Sequence, residues 1–96
     1  MSSRKINTVK NIAKKKNIIG TIEISDRPSK RFKITKNNKI IHFGLWPFKG
    51  KGTFIDHRDD EIRKAWRARH SKITKNGKPA YKDPHSPEYY SWNLLW

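Results

Sequence analysis

The chain contains no cysteine in 96 residues, so disulfide frameworks, thiolate zinc sites and cysteine nucleophiles are excluded and four histidines remain as its only soft metal ligands. Carboxylates are scarce: 8 Asp and Glu stand against 23 Lys and Arg. Aromatic residues are missing before Phe32, and apolar runs reach three or four residues at most. Runs that short predict a soluble chain with neither a membrane-spanning helix nor a secretory signal. A hydrophobic fraction of 33 % and a mean hydropathy of −1.00 predict one small core, with the rest of the chain solvated.

What the sequence has in abundance is positive charge. The formal net charge of +15 exceeds any need for solubility and points to a polyanionic partner, with nucleic acid first among them. Residues 1–50 carry net +11 and residues 51–96 net +4, while all four tryptophans and three tyrosines lie between Trp46 and Trp96. This asymmetry predicts a flexible basic arm over residues 1–17 and one small domain over 18–96. The arm is rich in Lys and Asn, holds the triplet Lys14-Lys15-Lys16 and has no acid, so it buries too little apolar surface to offset its ordering entropy. Ile6, Val9 and Ala13, with Ile12 nearby, do fall at helical spacing, as an amphipathic helix formed on a partner would require.

Ile18 to Ile24 has the β-branched composition of a short edge strand interrupted by Gly20. Lys30 to Thr35 alternates, with Phe32 and Ile34 facing one way and Arg31 and Lys33 the other. Asn37-Asn38 tolerates positive φ, and Lys39 to Phe43 returns, so residues 30–43 read as a hairpin whose outer face carries Arg31, Lys33 and His42. The Gly- and aromatic-rich stretch Gly44 to Gly52 breaks regular structure. Its Trp46 and Phe48 either tuck under the hairpin or offer a stacking platform beside Lys49 and Lys51. The best helix runs over about residues 58–70, with Asp56 as N-cap, acids in its first turn and Arg67, Arg69 and His70 in its last. Ile62, Ala65 and Trp66 share one face with Arg69 inside the apolar arc, and Arg63, Lys64, Arg67 and His70 make a broad basic face. Ser86-Pro87 starts a short C-terminal helix whose Tyr89, Tyr90, Trp92, Leu94, Leu95 and Trp96 are expected to close the core against Trp66 and the hairpin.

Enzymatic readings find little support. Asp56-His57 followed by a helix ending in His70 suggests a metal-dependent ββα nuclease, but that helix, about 18 Å long at 1.5 Å per residue, holds the histidines apart. No Walker-type glycine loop, no Ser-His-Asp context and no paired catalytic carboxylates are present. His42 and His85 have no evident sequence partners. The expectation is a protein that is not an enzyme and uses no cofactor or metal.

Ile41-His42-Phe43-Gly44, Lys51-Gly52, His57-Arg58-Asp59, Arg63-Lys64, Trp66, Arg69-His70 and the closing Ser91-Trp92-Asn93-Leu94-Leu95-Trp96 form a pattern over about residues 30–96. It resembles an uncharacterised family of small basic proteins of the nucleocytoplasmic large DNA viruses, the giant viruses. The chain departs from that pattern at Trp66, where the family usually has tyrosine, and at Leu45-Trp46-Pro47-Phe48, which lengthens the stretch between the His-Phe-Gly and Lys-Gly motifs. The resemblance implies a viral protein of the virion or virus factory and supplies no catalytic residues.

These readings converge on a small α+β domain: a β-hairpin with an edge strand packed on one main helix, a short C-terminal helix, and a disordered basic arm. The expected function is nucleic-acid binding, DNA favoured, through phosphate contacts in genome packaging or organisation. The contacts would come from Arg4, Lys5, Lys10, Lys14, Lys15, Lys16, Arg31, Lys33, Lys49, Lys51, Arg63, Lys64 and Arg67. The alternative is a minor capsid protein that bridges acidic surfaces of coat proteins or an internal membrane.

Overall fold

The computed structural model describes residues 4–48 and 50–96. It is an α+β fold whose backbone contacts gather into two compact units, one ending at Pro47 and the other beginning at Phe48. The division thus falls after the three-stranded sheet, where the sequence predicts one continuous domain preceded by an arm.

The first unit opens with helix α1 (Ile6–Lys15), and the expectation of a disordered arm is corrected here. The apolar spacing seen in the sequence is used within the chain itself: Val9 and Ala13 are buried and Ile6 and Ile12 half-buried. The end of α1 is equally definite. Asn17 turns left-handed (φ 57), and the amides of Asn17 and Ile18 donate to the carbonyls of Lys14 and Ala13 at 3.3 and 2.9 Å, which satisfies two carbonyls that a helix end leaves unpaired.

Beyond α1 lie β1 (Thr21–Ile24), β2 (Lys30–Lys36) and β3 (Lys39–Leu45), an antiparallel sheet in the order β1-β2-β3. Register Ile22↔Ile34↔Ile41 and Phe32↔Phe43 aligns the apolar side chains on one face, and Ile22, Phe32, Ile34 and Phe43 are buried. The β2–β3 hairpin turns on Asn37 and Asn38, both at positive φ (51° and 66°), as the sequence predicts. Helix α1 packs beside β1.

The second unit holds α2 (Phe54–His57), a single turn that precedes the expected helix. Asp56 is not the cap of the long helix. Its carboxylate closes α2 by accepting the Thr53 N–H and hydroxyl, each at 2.8 Å. Gly52 precedes this cap at φ 80, and a Cβ there would stand 2.7 Å from the Asp56 carboxylate, so local geometry requires the glycine of the Lys51-Gly52 motif. Arg58 then turns left-handed and α3 (Asp60–His70) follows, with Asp59 as its cap accepting from the amides of Glu61 and Ile62.

A two-residue ladder, β4 (Thr74–Lys75) with β5 (Lys78–Pro79), turns on Asn76-Gly77. After a 3₁₀ turn, Ser86 caps α4 (Pro87–Tyr90), which continues as a π-helical turn through Leu95. Ile55, Ala80, Tyr90, Leu94 and Leu95 are buried in this unit. The C-terminal aromatics do close against Trp66: its ring stacks on Trp96 at 4.6 Å and meets Trp92 at 5.8 Å. Among the described residues no helix is long and apolar enough to cross a membrane.

Candidate nucleic-acid interface

Helix α1 turns its apolar stripe inward, and the lysines follow from that rotation. Lys5, Lys10, Lys14, Lys15 and Lys16 are all solvent-exposed on the helix or its flanks. Lys10 and Lys14 stand one helical turn apart beside a cleft that Ile18, Ile19 and Thr21 also line. With no carboxylate anywhere in residues 1–22, this surface carries charge of a single sign.

Two arginines assigned to the same surface belong elsewhere. Arg31 is 1 % exposed, and its Nε and Nη2 donate to the Arg4 carbonyl at 3.2 and 3.0 Å. Arg4 in turn donates to the carbonyls of Lys30 and Arg31 at 3.3 and 3.4 Å. Both guanidinium groups lie over the Trp46 ring, 4.5 Å from its centroid for Arg4 and 5.4 Å for Arg31. Strand alternation is as expected, with Arg31 opposite to Phe32, but the segment entering α1 and the Trp46 indole cover that face and remove Arg31 from solvent. The half-buried Trp46 is therefore a platform for the protein's own arginines, a contact that a desolvated guanidinium favours.

Lys33 is half-buried and lies 3.8 Å from Asp26. Lys51 is exposed, and Lys49 lies outside the described residues.

In the second unit α3 is rotated relative to the expected arc. Its less exposed side carries Ile62, Arg63, Trp66, Arg67 and His70, while Ala65 and Arg69 face solvent with Lys64. The reason is the supply of rings. The Arg63 guanidinium lies 4.3 Å from the Phe54 centroid and pairs with Asp60 at 2.9 Å, and the Arg67 guanidinium lies 5.0 Å from the Trp92 centroid. Burial, and then the charge of Arg63, pull the Arg67 guanidinium below its ordinary pKa. The predicted basic face thus consists of an exposed Lys64 and two half-buried arginines whose guanidinium groups lie over aromatic rings.

The histidines are spread along the same rings. His57 sits 5.4 Å from Trp96, and its Nδ1 accepts the Asp59 amide at 2.9 Å, which leaves the ring proton on Nε2, buried without a hydrogen-bond partner. His70 stacks on Trp66 at 3.8 Å and bonds Glu88 at 2.5 Å. No group of three His, Asp or Glu side chains placed to hold a metal occurs among the described residues.

One constellation was invisible in the sequence. The Ser25 hydroxyl and His42 Nδ1 are 2.7 Å apart, and His42 Nε2 is 4.0 Å from Asp26. Ser25, His42 and Asp26 therefore do meet, because register places Lys33↔His42 beside the turn that follows β1. The hydroxyl is already engaged: Ser25 is 6 % exposed and its Oγ also accepts the Arg27 amide at 3.0 Å. A closed-in hydroxyl and a carboxylate beyond hydrogen-bond reach make this a clamp between turn and strand, without the open nucleophile of a hydrolase.

A family model described as a family of unknown function (DUF5754) matches residues 20–70, just over half of the chain. The match runs from the start of the sheet to the end of α3 and leaves out α1 and the C-terminal aromatics. No curated protein and no solved structure matches the chain.

Proposed function

Because the chain belongs to this family of unknown function, and membership carries no activity with it, we propose a function from the chain's own charges: non-enzymatic binding of nucleic acid through its phosphates. The observation that carries the reading is the lysine surface of α1, where Lys5, Lys10, Lys14, Lys15 and Lys16 are exposed on an acid-free segment. Lysine ammonium groups on a short helix neutralise phosphates as point charges and release counterions, without base readout. DNA is the favoured polyanion, and the resemblance to giant-virus proteins gives the binding its context in genome packaging or organisation in the virion or virus factory.

Direct titration tests it. The protein binds a duplex and a single-stranded oligonucleotide at about 50 mM salt and is largely released by about 200 mM. Replacing Lys10, Lys14 and Lys15 together by glutamine weakens binding by at least about tenfold at the lower salt. Absence of binding at the lower salt overturns the reading.

The second reading, a minor capsid protein that bridges acidic coat surfaces, draws on the cleft where Lys10 and Lys14 adjoin the apolar Ile18 and Ile19. Recovery of the protein with capsid shells rather than with released genome would favour it.

A further inference from the structure

Arg63 and Arg67 stand one turn apart on α3, and like charges at that spacing repel. Both are nevertheless held in place, each with its guanidinium laid on a ring, Phe54 at 4.3 Å and Trp92 at 5.0 Å. Arg63 has a carboxylate, Asp60, which is itself 77 % exposed at its side chain. Arg67 has none: its Nε is buried without an acceptor, and it forms no ion pair among the described residues. Arg63, Arg67, Lys64, Asp60 and Glu61 line a shallow hollow of about 490 Å³. With Asp60 and Glu61 counted the lining carries one net positive charge, and Arg67 is the guanidinium in it without a carboxylate, so the hollow is short of one compact anionic group.

We infer that Arg63, Arg67 and Lys64 form a discrete seat for one phosphate group, from a nucleic-acid backbone or a free phosphate ester. The inference rests on the proposed function only for the chemistry of its ligand, since its residues lie in the other compact unit from α1. Phosphate suits the seat because its tetrahedral oxygens can accept from two guanidinium groups at once, and aromatic stacking has already restricted both side chains. It differs from α1 in kind, since exposed lysines follow a backbone loosely whereas stacked arginines fix a single group. Asp60 and Glu61 on the rim oppose an anion, and Asp60 competes for Arg63 directly. Neutralising Asp60 should therefore tighten the site.

The test uses the whole chain, labelled for NMR and observed at the arginine Nε–H signals. It is titrated separately with inorganic phosphate, thymidine 5′-monophosphate and a thymidine oligonucleotide lacking terminal phosphates. Saturable shifts at Arg63 and Arg67 are expected, at millimolar concentration for phosphate. Asp60→Asn strengthens that binding several-fold, and Arg67→Met abolishes it while α3 stays folded. The source of the phosphate is read from whichever of the monophosphate and the oligonucleotide saturates at lower concentration. Unchanged arginine signals at about 20 mM phosphate and under saturating oligonucleotide overturn the seat, and leave the lysine surface standing if α1 amides respond. A response at the arginines with silent α1 amides overturns the lysine surface and leaves the seat standing.

Discussion

His42 is tied at Nδ1 by the Ser25 hydroxyl, and its Nε2 lies 4.0 Å from the Asp26 carboxylate. Ser25 Oγ also accepts the Arg27 amide at 3.0 Å, so the same hydroxyl joins the ring to the turn that follows β1. Burial lowers the pKa of His42 from 6.5, and Arg27, Lys33 and Lys30 lower it further, against the opposing pull of Asp26. A histidine whose folded pKa lies below its unfolded one takes up its proton more readily in the unfolded chain. Its contribution to stability is therefore complete above pH 6.5 and is lost as the pH falls from there through the lowered folded value. The urea midpoint of the native chain should drop between pH 8 and pH 5 by more than that of His42→Gln, whose side-chain amide can either donate to or accept from Ser25 but cannot titrate. Equal drops in the two proteins would show that the clamp carries no pH dependence.

At the scale of elements, α1 is the piece whose standing changes most. Its Val9 side chain is wholly buried, and burying a valine contributes roughly 1.5–3 kcal/mol. A carboxylate at that position would be desolvated among apolar neighbours, so Val9→Asp should cost the first unit about 3 kcal/mol or more. Amide exchange in β1 and β2 should then accelerate along with that of α1; acceleration confined to α1 would make the helix an independent appendage. Much of this element was written in the sequence: the spacing of Ile6, Val9, Ile12 and Ala13 marks its buried stripe, and Lys14-Lys15-Lys16-Asn17 is a basic last turn followed by a left-handed stop. The low average hydropathy obscured it, because a helix that covers a sheet needs only one narrow stripe. The hairpin was legible for the opposite reason, since Asn37-Asn38 between alternating strands fixes turn and register together. The α3 face was not legible, because periodicity ranks Ala65 as apolar and Arg67 as polar, whereas the helix rotates toward whatever can cover Phe54 and Trp92. The His42 clamp was beyond reach as well: Ser25 and His42 are 17 residues apart and meet only through sheet register.

Across the whole molecule, the +15 is not one undivided resource. The sequence up to Pro47 holds net +10 and the remainder net +5. Within that total Arg4 and Arg31 hold backbone carbonyls, and Lys33, Arg63 and Lys75 face Asp26, Asp60 and Asp83. Cations committed to such internal partners release few counterions on meeting DNA, so the salt dependence of binding should count the exposed lysines instead of the net charge. Each neutralised phosphate of B-DNA contributes roughly 0.9 to the slope of log K against log salt, so Lys10, Lys14 and Lys15 alone should account for about −2 to −3 of it. Substituting Lys10, Lys14 and Lys15 by glutamine should flatten it by roughly 2–3. Substitution is a cleaner probe than truncating residues 1–17, because truncation would also remove Val9 and Ala13 from the core of the first unit and the Arg4 carbonyl from Arg31. Glutamine keeps helix propensity and the aliphatic stem while removing only the charge. A slope near −10 that the triple substitution leaves unchanged would mean that DNA meets the protein over its surface at large, and α1 would lose its place as the binding element.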